Sequence, residues 1–360
     1  MMDVKLLESS NKKDLIEWQR LCNYMPNCDI HFFPQYAQTY ALNNEGEAHC
    51  FICKKGSNDL IIYPFLKRRI NELDLYKDLS DEYYDIVSPY GYGGYLRNRY
   101  CSIDMKYFFK LFQNYCKKNY IISEFVRFNP WLKTQDECGE FVEVSRWNQV
   151  VAIDLTKSNE EIWADFDSKN RNRIRKSRKN GVVIKQDLNF TFIDEFCRLY
   201  FQTMDRKDAL SYYHFNKQFF QNMISLLSPN ITLFHAFVEN KIIASMMVLY
   251  AKYFAHAHLA CADAEYLNLA PYNLLFYEVA LWAKKEGFKL LILGGGTTSQ
   301  ADDSLLRFKK RFSKKYFDFY IGKKIHNKEI YYFMCEKKLQ YEKEKNITNI
   351  NDNFFPLYRR

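Results

Sequence analysis

The strongest constraint on the fold is an order of elements that occurs twice. "AHCFICKK" and "DLIIYPFLKR" read as strands joined at Gly56-Ser57-Asn58, and "YYDIVSPY" reads as a third. A glycine-rich turn, a helix over "SIDMKYFFKLFQNYCKK" and the strand "YIISEFVRF" follow. Further on, "TLFHAFV", "KIIASMMVLYA" and "YFAHAHLA" are again three strands, the first two joined by Glu239-Asn240. The helix "PYNLLFYEVALWAKKEG" begins at Pro271 and ends at Gly287, and the strand "FKLLIL" closes the unit. Strand, turn, strand, strand, helix, strand is thus a repeat of structure and not of sequence. It predicts two α/β domains with mixed (α+β) sheets, dividing near residue 150.

Between the halves, "NEEIWADFDSKNRNRIRKSRKNG" predicts one helix over 160–181, with Ile162, Trp163, Phe166 and Ile174 on its buried stripe. A second helix, "FIDEFCRLYFQTM", follows; a strand, a helical stretch and a polar tail come after residue 320. A hydrophobic content of 48% with 18% aromatics excludes a disordered chain. The formal charge of +9 suits phosphate-bearing partners without specifying a fold. The amino-terminal stretch has no signal-peptide core, and "IIASMMVLYA" falls far short of the roughly 20 residues that span a bilayer. The ten cysteines therefore read as reduced thiols of a cytoplasmic protein, with the Cys50–Cys53 spacing an accident of a strand. His256 and His258 lie two apart on one strand face, but with no third ligand nearby the expected metal complement is none.

Four stretches carry candidate chemistry. From Ser168 to Gly181 there are seven cations and no acid; Lys169, Arg171, Arg175, Arg178 and Lys179 are the expected contacts of a polyanion such as tRNA, against the plainer reading of a solvated face. In "SPYGYGGYLRN", Gly91, Gly93 and Gly94 permit either an anion nest or a simple turn, with Tyr90 and Arg97 beside them. "TMDRKDALSYYHF" places Arg206 and Tyr212 in what composition alone makes a surface loop. In "LGGGTTSQADDSLLRFKKRF", Gly294, Gly295 and Gly296 end a strand, and Asp302 and Asp303 precede a helix whose Leu305, Phe308 and Phe312 face inward and aim Lys309.

Together "SKNRNRIRKSRKNGV", "TMDRKDA", "LGGG" and "DDSLLRFKKRF" followed by "YIG" resemble the Fem-type aminoacyltransferases of the GNAT-fold acyltransferase superfamily, over about residues 30–332. The resemblance implies two tandem GNAT-like domains: an acceptor-binding one over 1–150, completed by 321–360, and a second over 151–320. It implies aminoacyl or acyl transfer to an amine of a peptidoglycan or related envelope precursor that bears phosphate. Peripheral membrane contact would come through a lipid-linked acceptor. No tightly bound cofactor is implied; the donor is aminoacyl-tRNA or acyl-CoA. Lys309 is implied in stabilising charge on the reacting carbonyl and Arg206 in holding acceptor phosphate. Phe308, Tyr212 and the three glycines at 294–296 are then expected substrate contacts; Tyr36, Tyr90 and Arg97 are our expectation for the acceptor cleft, and Asp303 and Asp302 for accepting the amine's proton. The long coiled-coil arm of some members is missing. Acetyl-CoA users commonly place a glycine-rich pyrophosphate loop before the second-domain helix, whereas "CADAEYLNLAPYN" has no glycine, which tilts the donor towards tRNA. The rival readings are acetyl transfer from CoA to an amino sugar in polysaccharide synthesis, and a non-catalytic nucleic-acid or headgroup binder.

Overall fold

The computed structural model describes residues 2–56, 59–300, 302–348 and 354–360, so part of the turn expected at 56–58 lies outside the described residues. The chain forms two compact units. Unit 1 comprises Met1–Pro26, His31–Trp147 and Phe319–Arg360; unit 2 comprises Asn27–Ile30 and Asn148–Asp318.

Unit 1 opens with β1 (Met2–Glu8), α1 (Lys12–Tyr24) and α2 (Pro34–Ala41). Then come β2 (Glu47–Lys55), β3 (Asp59–Arg69), β4 (Tyr84–Val87), the short β5 (Leu96–Arg97), α3 (Met105–Lys118) and β6 (Ile121–Arg127). The strands β2 and β3 are buried along nearly their whole length, which is why they read as continuous apolar runs instead of alternating ones. Asp104 caps α3 by accepting from the Lys106 amide at 3.0 Å. Phe108, Phe109, Phe112 and Cys116 form the stripe that seats this helix on the unit's core. As the crossover, α3 lets β4 and β6 pair in parallel while the remaining pairs are antiparallel.

The chain passes into unit 2 along β7 (Glu143–Asp154). There follow α4 (Asn159–Asp165), α5 (Ser168–Lys179), β8 (Val183–Asp187), α6 (Ile193–Arg206) and α7 (Lys217–Leu227). Next are β9 (Ile231–Val238), β10 (Lys241–Ala251), β11 (Phe254–Ala262), α8 (Pro271–Lys285), β12 (Leu290–Gly294) and α9 (Ser304–Lys310). The strand order is β7-β12-β11-β10-β9-β8. Pairing is parallel for β11 with β12 and antiparallel elsewhere. The parallel contact runs only through Phe254–His256 against Leu290–Ile292, so the carboxyl ends of β11 and β12 part beyond it. A bulge at His258 shifts the β10–β11 register, so His256 and His258 are not the simple same-face pair that the alternation predicts. His256 instead lies against Asp29, Nε2 to Oδ1 2.8 Å.

The helix expected over 160–181 is two helices. Phe166 adopts an extended conformation and drives its ring into the unit 2 core, while Asp167 accepts from the Asn170 amide at 2.6 Å and starts α5 afresh. Gly287 lies one residue beyond the α8 cap, at φ +86°.

The chain returns to unit 1 along β13 (Lys315–Ile325), whose later residues pair with β6, and continues into α10 (Lys328–Glu344). The expected polar tail is in part core. Tyr358 is fully buried and donates to Asp85 at 3.0 Å, and the Arg68 guanidinium reaches the same carboxylate at 2.6 Å. Among the described residues no helix is long and apolar enough to cross a membrane. All ten cysteines are free thiols.

Gly322 of the "YIG" sequence is explained by packing. A Cβ there would stand 2.6 Å from Val126, 2.7 Å from Val142 and 2.8 Å from Phe128. Gly322→Ala is therefore expected to overpack the unit 1 core and destabilise the fold by about 1–3 kcal/mol, read by denaturant titration. An unchanged midpoint would show that these strands yield easily.

Candidate active site

The glycine triplet, α9 and the start of β7's unit 2 portion build one arrangement in unit 2. Gly294 ends β12 at φ +84°, a conformation that favours glycine. Gly295 lies so close to the Gln149 carbonyl that a Cβ would sit 3.0 Å from its oxygen. Gly296 faces the Asp303 carboxylate, leaving no room for a side chain. Asp303 is the cap of α9. It accepts from the amides of Leu306 (2.8 Å), Thr297 (2.9 Å) and Thr298 (3.0 Å), and from both threonine hydroxyls. Burial alone would raise the proton affinity of this carboxyl, but those donors outweigh it and hold the group at about 2. A carboxylate so occupied is a poor proton acceptor, which corrects the expectation for Asp303. Asp302 is exposed beside it.

With the glycine loop folded onto its cap, α9 points its lysine inward. The Lys309 ammonium donates to the Gly295 carbonyl at 2.7 Å. By area the residue is only partly covered, yet burial of the ammonium drives its pKa down to about 7, with repulsion from Lys207 adding to the shift and Asp303 opposing it. Phe308 holds the helix by packing edge-on against Phe276 and Phe312. The fully buried leucine is Leu306, not Leu305, because the Asp303 cap at the Leu306 amide sets the helix phase. Lys310 is tied to the Gln149 side chain at 2.8 Å.

A second cation group comes from the end of α6. Arg206 donates to the Ala262 carbonyl, where β11 ends, at 3.2 Å, and Thr203 bonds the same backbone group. By area Lys207 is exposed, yet partial desolvation of its ammonium lowers its pKa, with Arg206 adding to the shift. Burial pushes the Tyr272 phenol well up, with Cys261 adding to it and Arg206 opposing. Lys309, Lys207 and Arg206 thus gather positive charge where β11 and β12 part. The helix start there is poorly furnished for a pyrophosphate. Ala270 stands at φ +57°, Pro271 has no amide hydrogen, and the Asn273 amide is bonded to the Ala270 carbonyl. Tyr212 lies exposed on the loop after α6, packed edge-on to Tyr213.

Residues 168–310 match the family model for the acetyltransferase (GNAT) domain. The chain is 28% identical over 187 residues to a UDP-N-acetylmuramoylpentapeptide-lysine N(6)-alanyltransferase from Weissella viridescens. That match covers 50% of this chain and 54% of that protein, so it spans about half the length of the curated relative. Among solved structures, FemX superposes with a TM-score of 0.68 at 12% identity, covering 89% of this chain and 98% of FemX. The chain thus carries a GNAT-type acetyltransferase domain and is similar to Fem-type transferases in part of its sequence and in fold. L-PGS from Bacillus licheniformis shares the fold at a TM-score of 0.55 and 13% identity, over 88% of this chain and 92% of that one.

The residues expected to line an acceptor cleft lie within unit 1, each held by local contacts. Tyr36 is fully buried and donates to the Tyr90 carbonyl at 2.8 Å. Gly91 and Gly94 take positive φ, and a Cβ at Gly93 would stand 2.7 Å from that of Ser88. Arg97 is paired with Glu137. Backbone conformation and close packing account for these glycines, and Tyr36 is buried. The sequence passed over Lys207, although it adjoins Arg206, and also Gln149, Thr297 and Thr298, which no local motif marks. A concavity of about 940 Å³ along β13 and α10 is lined by unit 1 residues and includes neither Lys309 nor Arg206.

Lys309 costs stability while it is charged. Its folded pKa lies below that of the unfolded chain, so the penalty is complete below about pH 7 and fades as the pH rises towards 10.5. Lys309→Met is expected to raise stability by roughly 1–3 kcal/mol at pH 6.5, allowing for partial solvent access, with the gain shrinking by pH 9.5. Thermal melts of both proteins across that range check this; a pH-independent difference would contradict a desolvated ammonium.

Proposed function

We propose that the chain transfers an aminoacyl group from charged tRNA to an amine of a phosphate-bearing cell-envelope precursor. The observation that carries this reading is the inward-facing, desolvated Lys309 ammonium, bonded to the carbonyl at the end of β12. A neutral amine of the acceptor attacks the carbonyl carbon of the aminoacyl ester. The carbonyl electrons move to oxygen, and an oxyanion forms within reach of the two Lys309 N–H groups that Gly295 leaves unused. Collapse expels the tRNA hydroxyl, which takes the surplus proton of the attacking nitrogen. Asp303 is not needed in that sequence, in keeping with its occupied lone pairs. Holding two reactants together accounts for about 7–11 kcal/mol of the barrier in such reactions, so an activated ester needs little beyond positioning and the cation.

Arg206 and Lys207 suit the acceptor's phosphates: they are cationic, adjacent and at the same strand ends. The likeness to an alanyltransferase that uses a muramoylpentapeptide acceptor supports the acceptor class. Acetyl transfer from CoA is the second reading. The α8 start disfavours it, because Pro271 and the occupied Asn273 amide remove anion-binding donors that a pyrophosphate would use.

Incubation with a UDP-linked muramoylpentapeptide and either charged tRNA or acetyl-CoA, read by the mass gain of the acceptor, separates the two. An aminoacyl mass gain is expected. Lys309→Met should lower kcat about 10²–10³-fold. For the unsubstituted enzyme, kcat/KM should fall as the pH rises through about 7, where the free enzyme loses its ammonium, and this limb should vanish in the variant. Full turnover by Lys309→Met would exclude the mechanism.

A further inference from the structure

The seven cations of α5 divide into two sets. One set is spent on the protein itself. Arg171 donates to the carbonyls of Ala164 and Phe166. Arg175 bonds Asn172 at 2.9 Å and lies over the Trp163 ring, 5.4 Å from its centre. Arg178 pairs with Glu278 of α8 at 2.6 Å and covers Tyr277. These arginines share a face because that face is laid against neighbouring residues of unit 2.

The other set is Lys169, Arg173, Lys176 and Lys179. All four are exposed, and among the described residues no hydrogen bond or ion pair engages their side chains. Lys169, Arg173 and Lys176 follow the i, i+4, i+7 spacing of one helix face, and Lys179 continues it by a further i+3 step. At 1.5 Å per residue the stripe runs about 15 Å. Its uncharged neighbours on the outer surface, Ser168, Asn172 and Asn180, are polar, while Ile174, Asn170 and Ser177 are turned inward. The buried Asn170 is bonded to Asn273 of α8 at 2.8 Å and to the Arg311 carbonyl, which fixes how α5 is rotated and so which cations face out.

We infer that this outward stripe, and not the 171/175/178 face, is the surface on which unit 2 holds the phosphate backbone of an RNA. Four cations with no acid on their helix match a run of phosphates in charge and spacing. A membrane is the poorer occupant: an interfacial helix places apolar side chains beside its cations, and the exposed face of α5 has none. The inference rests on the proposed tRNA donor but concerns binding alone, so it is tested without turnover.

Binding of unfractionated deacylated tRNA is measured by fluorescence anisotropy between 50 and 200 mM salt. The comparison is between the full-length protein and its Lys169→Gln/Arg173→Gln/Lys176→Gln/Lys179→Gln variant. Each phosphate that a cation no longer neutralises lowers the magnitude of the log K against log salt slope by about 0.7–0.9, so the variant's slope should fall by roughly 3. Its affinity at 100 mM salt should be at least about tenfold weaker. Arg178→Gln should leave the slope unchanged. Phosphatidylglycerol vesicles, tested by co-sedimentation, should not retain the protein. An unchanged slope in the quadruple variant would overturn the inference, as would loss of slope in Arg178→Gln. So would vesicle binding abolished by the four substitutions, or the absence of tRNA binding by the unsubstituted protein. If the stripe fails while charged tRNA still supports transfer, the donor reading stands and RNA binds elsewhere; if only acetyl-CoA supports transfer, the donor reading fails by itself.

Discussion

The contact between the Lys309 ammonium and the Gly295 carbonyl organises the site. The rest of the local structure can be read as what that contact requires. The carbonyl is in place because β12 ends in residues without side chains, which lets the Gln149 carbonyl and the Asp303 carboxylate close on the loop. The ammonium is in place because Asp303 starts α9 at a fixed phase, and because Phe308 and Phe312 pin the helix against Phe276. Bringing a cation into that setting without a full counter-charge is unfavourable. The fall of its pKa to about 7 is the direct sign of that cost. A desolvated ammonium held by a backbone carbonyl at a strand end is the kind of perturbed group that marks a candidate functional site.

Much of the fold was legible because local rules and tertiary packing agree. Pro271 opens α8 and Gly287 follows its end, as end-signals alone require. The continuous apolar runs of β2, β3 and β10, each bounded by turn residues, match strands buried on both faces. Where reading failed, a longer-range contact had won. Phe166 takes an extended conformation where the predicted helix breaks, and its ring lies in the unit 2 core. Tyr358 is core and not tail because a buried Asp85, far away in sequence, accepts its hydroxyl. The bulge at His258 has no sequence signature at all.

The site was legible as a neighbourhood and not as a set of roles. Lys309, Asp303 and the glycines stood together in one stretch, so proximity alone pointed to them. What each does depends on partners that proximity does not reveal. Asp303 looked like a base and is a fully engaged cap; Arg171, Arg175 and Arg178 looked like ligand contacts and are bonded within unit 2. The same helix carries structural and free cations side by side, and only the burial of Asn170 and Ile174 tells them apart.

The central claim is that the Lys309 ammonium is desolvated in the resting protein. It is tested most directly by an NMR pH titration of side-chain ¹³Cε-labelled lysine, with the Lys309 signal assigned by its loss in the methionine variant. The account predicts that the Lys309 signal titrates near 7, well below the ordinary lysine value of about 10.4. A Lys309 signal that moves with the bulk of the lysines would contradict it.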